Sequence, residues 1–333
     1  MDWSYSALTT FRRCNRQYYF GYVAPSHYFT DPYRRKLFEL KNSKSLHMWQ
    51  GSVIDYIVET EVVDGLRKRK KLNFNQIAQK GVELAQRQFA FSESLKYREK
   101  GLSKAGVGAD YCILDIHESQ KPYTEEEIQN VYTQIHDVLS KFSTLKSPID
   151  GRLMSNFIED HSLIIPNVRF IKFEFENIRV TPQIDLLLGK GNKAVIIDWK
   201  VSDSDVSDYS LQLIIAGIAV LYTNQQRFGK AYMRSTDIEL WEVNLLTQEL
   251  KKHPFTTDEI NQTIDYIYLN ADESTLMQKQ ESQKPFVDDF PITDKPSTCQ
   301  FCKFRYMCSY LLENNYEYNE QQYSEFVQTT EFT

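Results

Sequence analysis

From Val195 to Val201 the chain reads VIIDWKV, an apolar run of strand character that carries one carboxylate and one ammonium group. Side chains in a strand alternate faces, so Asp198 and Lys200 share one face with Ala194 and Ile196. Val195, Ile197 and Trp199 share the other. Upstream, VTPQIDLLL forms a second apolar segment bearing Asp185, and the glycines of GKG between the two mark a turn. Two strands joined by so short a turn bring Asp185 near Asp198 and Lys200.

That trio has a chemical use. Two carboxylates are hard ligands suited to Mg²⁺ or Mn²⁺. A divalent ion there polarises a phosphoryl oxygen and lowers the pKa of a bound water. Lys200 can orient that water or stabilise charge in the transition state. As a tripeptide alone, D-x-K describes a same-face ion pair on a strand just as well.

The bulk properties restrict the setting. The 333 residues suffice for about two domains, or for one large domain with an insertion. With a formal net charge of -6, a uniformly basic surface is excluded, so any nucleic-acid site must be a local groove. No apolar run is long enough to span a membrane, and the start, MDWSYSALTTFRRC, lacks the pattern of a secretory signal. These features predict a cytoplasmic protein without a membrane partner.

Along the chain, a first helix is expected from Ser4, Ser6 or Thr9 to about Tyr19, carrying Arg12, Arg13, Cys14 and Arg16. Tyr22 to Leu46 reads as irregular, with Pro25 and Pro32 as breakers. A helix near His47 includes Gly51, Asp55 and Glu59. The basic run from Arg67 to Lys71 suits either a solvated loop or phosphate contact. GVGAD lacks the Lys-Ser/Thr of a phosphate loop. Helical patterns continue to about Phe142. After Pro148, SLIIP and RFIKFEFEN alternate as strands, and Glu174 or Glu176 could add a carboxylate to the site. Ser207 to Tyr222 is too long for a strand and reads as a buried helix with Gln212 near its start. YMRS and IELWEVNLL read as strands, and a helix is expected from Thr257 to about Lys279. The expected divisions are 1–64, the N-terminal part of the core; 65–150, a helical insertion; 151–290, the main core; and 291–333, a C-terminal cysteine segment and tail.

Five cysteines, an odd number in a reducing compartment, point to metal ligation rather than disulfides. Cys299, Cys302 and Cys308 stand as C-x₂-C-x₅-C within STCQFCKFRYMCSY. Four thiolates complete either a tetrahedral zinc site or an iron–sulfur cluster, with the fourth from Cys14 or Cys112.

The order of these parts resembles the PD-(D/E)xK nuclease superfamily. Pro182 to Asp185 matches its P-x-x-D motif, Asp198-Trp199-Lys200 its D-x-K, and Gln212 on the next helix its glutamine. Cys14 in FRRCNRQYYF, with the three C-terminal cysteines, is similar to the RecB/AddB-like iron–sulfur nucleases and the CRISPR-adaptation nucleases. The resemblance implies a restriction-endonuclease-like α/β fold, with a mixed central sheet flanked by helices. It also implies a [4Fe–4S] cluster on Cys14, Cys299, Cys302 and Cys308 that joins the two terminal segments, leaving Cys112 as a buried thiol. It implies a metal-dependent DNA nuclease, an exonuclease or a single-strand or end-processing enzyme, acting in repair, recombination or antiviral defence beside a helicase or integrase. Asp55, Asp185 and Asp198 would hold Mg²⁺ or Mn²⁺, with Lys200 and Gln212 completing the catalytic set. Arg12, Arg13 and Arg16, fixed near the cluster, become candidate DNA contacts. Two departures stand out. Asp55 occupies the place of the family's metal-binding His in G-x-x-x-H, and Ala216 replaces the Tyr of Q-x-x-x-Y. They keep open a second reading, a weakly active or inactive DNA-binding scaffold that retains the nuclease fold.

Overall fold

The computed structural model describes residues 2–147, 151–202, 209–271, 273, 275, 277 and 286–329. The chain divides into two compact units, each assembled from three segments. One comprises residues 1–4, 50–83 and 132–272, and the other residues 5–49, 84–131 and 273–333. Ten strands occur among the described residues: β1 (Asp2–Trp3), β2 (Ser43–Lys44), β3 (Ile113–Leu114), β4 (Leu163–Val168), β5 (Phe173–Phe175), β6 (Ile178–Val180), β7 (Ile184–Lys190), β8 (Lys193–Lys200), β9 (Ile238–Asn244) and β10 (Leu250–His253).

The first unit is built on a five-stranded mixed sheet in the order β10-β9-β8-β7-β4. Only β8 and β9 run parallel; the other neighbours are antiparallel. The continuous apolar run of β8 follows from burial on both faces, since Ile196 and Ile197 are 1% and 0% exposed. β7 and β8 form the expected hairpin, closing at Lys190 and Lys193, with Gly191 at φ 63° in the turn. A parallel pair requires a crossover, and the helix Ser210–Phe228 supplies it. A Cβ at Gly217 would lie 2.7 Å from the Phe255 ring and 3.2 Å from Leu240, so glycine sets how closely this helix packs. The smaller sheet β1-β6-β5 also belongs to this unit.

Several expectations are corrected. The YMRS segment is not a strand; β9 begins at Ile238, and the antiparallel strand β10 follows it unanticipated. Only Phe173–Phe175 of RFIKFEFEN is extended. The predicted start of the crossover helix at Ser207 and the end of the later helix near Lys279 lie outside the described residues. That later helix, Thr257–Leu269, opens on a capping box: the Thr256 side chain accepts from the Glu259 backbone and the Glu259 side chain accepts from the Thr256 backbone.

The second unit is largely helical. Tyr22 to Leu46 is not irregular throughout, because Pro32–Asn42 is a helix. Pro32 stands at its first turn, where a missing N–H costs nothing, and Asp31 caps it by accepting from Arg34 N–H. The first predicted helix is interrupted. Tyr5–Arg13 ends before Cys14, whose backbone is extended (φ -165°), and a new helix, Asn15–Tyr18, begins with Cys14 Sγ accepting from Gln17 N–H. The helix Pro32–Asn42 carries part of a largely buried ionic network. Arg35 pairs with Glu39 at 2.8 Å, and Glu118 receives Lys36, Arg98 and the Tyr97 hydroxyl. Cys112, 2% exposed, is a buried thiol with a pKa pushed up to about 11 by burial.

Candidate active site

The hairpin register builds the site. Leu186 opposes Ile197, so one step further along the same register Asp185 opposes Asp198. Directly opposed residues of an antiparallel pair project from the same face. The Trp199 backbone N–H donates to Asp185 Oδ2 at 2.9 Å and holds that carboxylate in place. Lys200 Nζ lies 2.5 Å from Asp198 Oδ2. The two groups form a close, largely buried ion pair.

The electrostatics are those of a strained pair. Burial first, then the Asp198 charge, pushes the Asp185 pKa up to about 7; Asp55 adds to this, while the Trp199 N–H and Lys200 oppose it. Asp198 is also raised, by burial first, against the pull of Lys200. Burial alone would lower Lys200, but Asp198 and Asp185 outweigh it and hold the ammonium charged. Two opposed carboxylates are hard oxygen donors of the kind that fit a divalent cation. Among the described residues no group of three or more His, Cys, Asp or Glu side chains lies at metal-holding spacing. Asp55, exposed on the helix Leu46–Ile57, makes itself felt at Asp185 through its charge.

Gln212 stands exposed in the first turn of Ser210–Phe228, and none of the contacts joining Asp185, Asp198 and Lys200 includes it. Ala216, 3% exposed, is packed in the buried stretch of that helix. Glu174 is engaged by Lys172 and Arg179 in the small sheet, away from the aspartate pair's contacts. In the basic run, Arg67 and Lys68 both pair with Asp64.

Two neighbours of the pair escaped sequence reasoning. Glu242 on β9 stands in register with Asp198 across the parallel β8–β9 ladder and raises its pKa further. Its carboxylate bonds His253 Nε2 at 2.9 Å, and both residues are buried. A carboxylate within the apolar run of IELWEVN was the available signal. The other is Tyr209, whose ring centroid lies 3.9 Å from Lys200 Nζ; no spacing rule marks it.

The cysteines of the second unit are all free. Cys299 lies in the short helix Pro296–Gln300 and Cys308 in Arg305–Glu313, and a turn joins Cys302 N–H to the Cys299 carbonyl. Burial raises the Cys302 and Cys308 thiols, Cys308 to about 11, and each senses the charges of Cys14 and Cys299. The four sulfurs are thus electrostatic neighbours. Arg16 lowers Cys308 and Arg13 lowers Cys302. Arg16 is 3% exposed and donates to the Phe290 carbonyl, so it is withdrawn from the candidate DNA contacts. Arg12 pairs with Glu273, and Arg13 bonds Gln17 on the surface.

The hairpin thus presents opposed aspartates and a same-face lysine ahead of the crossover helix. The family model of the PD-(D/E)XK nuclease superfamily matches residues 2–309, nearly the whole chain, and the protein belongs to that superfamily. Its members are typically nucleases that use Mg²⁺ or Mn²⁺. No curated protein matches the chain as a relative. No helix among the described residues is long and apolar enough to cross a membrane.

Proposed function

We propose that this chain is a divalent-metal-dependent deoxyribonuclease acting on DNA ends or single strands. The observation that carries the reading is the register that opposes Asp185 to Asp198 across the hairpin, with the Lys200 ammonium 2.5 Å from Asp198 Oδ2. Asp185 and Asp198 would hold Mg²⁺ or Mn²⁺, with Asp55 assisting, and the bound ion would supply an activated water and a polarised phosphoryl oxygen. Lys200 stabilises the charge that develops on the phosphate. Gln212, exposed at the helix start, orients substrate.

Cys14, Cys299, Cys302 and Cys308 would hold a [4Fe–4S] cluster that ties the terminal segments of the second unit together. Support comes from their shared electrostatic neighbourhood and from the cations of Arg13 and Arg16, which favour thiolate. The wider reading is DNA repair, recombination or defence beside a helicase or integrase, in the cytoplasm.

The test compares wild type with Lys200→Ala on labelled single- and double-stranded DNA, and on RNA, with Mg²⁺ or Mn²⁺. Wild type should cleave DNA, and Lys200→Ala should lose about 10²–10³-fold in kcat. A wild type that cleaves nothing, or a variant that cleaves equally well, defeats the proposal in favour of a scaffold role.

A further inference from the structure

Lys200 is held by more than its carboxylate. Its side chain is 19% exposed, and its Nζ sits 3.9 Å from the centroid of the Tyr209 ring. At that distance the negative face of the ring attracts the ammonium directly. Both ends of the contact are anchored by backbone. The Lys200 carbonyl accepts from Leu245 N–H at 2.8 Å, which fixes the end of β8, and the Tyr209 carbonyl accepts from Leu213 N–H, which fixes Tyr209 at the start of the crossover helix.

We propose that Tyr209 is a positioning residue that holds the Lys200 ammonium by its ring face and aims it at the scissile phosphate; this rests on the nuclease reading. The chemistry explains why a ring does this better than a second acid. A lysine stem has four rotatable carbons and no preferred direction of its own. Asp198 restrains Nζ, but Asp198 is also a candidate metal ligand, and a carboxylate engaged by a cation has less negative charge to offer lysine. The π-face of Tyr209 restrains the ammonium without neutralising it and without ligating a hard metal. The positive charge therefore stays available to the phosphate. The ring, not the hydroxyl, makes the contact, so the proposal separates phenylalanine from aliphatic substitutions.

Two readouts test it. In steady-state cleavage, Tyr209→Leu should lower kcat about tenfold, the scale of a cation–π contact in a half-buried site, with KM changed by less than about twofold. Tyr209→Phe and Tyr209→Trp should recover most of that loss. In metal-free protein, brief treatment with an amine-acetylating reagent at one fixed pH, read by peptide mass, should modify Lys200 several-fold faster in Tyr209→Leu than in wild type or Tyr209→Phe. Melting curves establish that each variant is folded, and Tyr209→Met takes the place of Tyr209→Leu if the latter is not. Equal labelling of Lys200 in wild type and the aliphatic variant overturns the proposal, and so does a Phe variant that loses as much as Leu. If wild type shows no cleavage, the nuclease reading fails, while the labelling comparison still decides whether the ring holds the lysine.

Discussion

The backbone N–H of Trp199 donates to the carboxylate of Asp185, so the central residue of the D-W-K tripeptide orients the aspartate of the neighbouring strand. The side chain at position 199 points the other way and packs edge-on against Phe142, with ring centroids 5.8 Å apart. The site geometry and the core packing thus meet in one residue but depend on different atoms of it.

This separation predicts the behaviour of position 199. Trp199→Ala should cost about 3–5 kcal/mol of stability, as large-to-small aromatic changes in a core do. Trp199→Phe, which keeps the backbone donor and much of the packing, should cleave within about threefold of wild type. Urea unfolding and cleavage rates of the folded variants measure the two effects. A Phe variant that is stable but inactive would show that the indole itself serves the site.

The aspartate pair predicts a stability gain on neutralisation. Asp185 has a folded pKa near 7, well above an unfolded carboxylate's value of about 3.9. The folded chain therefore binds the proton more tightly. The associated stability is fully present below about pH 4 and is lost as pH rises through 7. Asp185→Asn should raise the melting temperature of metal-free protein at pH 8 and much less at pH 5. Mn²⁺ should stabilise wild type at pH 8 but have little effect on Asp185→Asn. Melting curves with and without Mn²⁺ decide this, and a lower melting temperature for Asp185→Asn at pH 8 would sink it.

The ionic network of the second unit predicts the opposite slope. Burial works to raise the Glu118 pKa, but Lys36 and Arg98 overcome it, and the folded value lies below the ordinary one. Its contribution is present above the unfolded pKa and is lost as pH falls through the folded one. Glu118→Gln strips Lys36 and Arg98 of their shared anion and should cost about 3–5 kcal/mol at pH 7. The gap from wild type should narrow below about pH 4. Glu39, pushed up to about 7 by burial first and then by the Glu118 charge, should ionise more readily in that variant. Denaturant titrations across pH, with NMR of the Glu39 carboxylate, test both statements; a gap that does not change with pH would count against them.

The cysteines separate cleanly by variant. Anaerobically purified wild type should be brown and contain iron. Cys14→Ser and Cys308→Ser should each lose most of the visible absorption, while Cys112→Ser retains it, because the cysteine charges felt at Cys302 and Cys308 are those of Cys14, Cys299 and Cys302. Bound zinc with no visible absorption would replace the cluster with a tetrahedral metal site.

Period-2 alternation and the GKG turn made the opposed aspartates legible, because antiparallel register is a local consequence of a short hairpin. Glu242 was not legible: its place beside Asp198 depends on the register of a parallel pair whose partners lie more than 40 residues apart. Tyr209 is set by the geometry of the segment entering a helix, which spacing does not encode. Pro32 misled because proline both breaks a helix and begins one, and only the Asp31 cap distinguishes the two. The pause at Cys14 was hidden by strong helical periodicity on both sides.

The interleaved layout of the second unit has a consequence during synthesis. Cys14 leaves the ribosome about 285 residues before Cys299, the first of the other three thiols grouped with it. At about 5–20 residues per second that interval is on the order of 15–60 s. For all of that time the first segment of the unit, residues 5–49, lacks its last segment, and its middle segment, residues 84–131, emerges only part of the way through. The helical layer of this unit therefore stays incomplete until its last segment, residues 273–333, has left the ribosome.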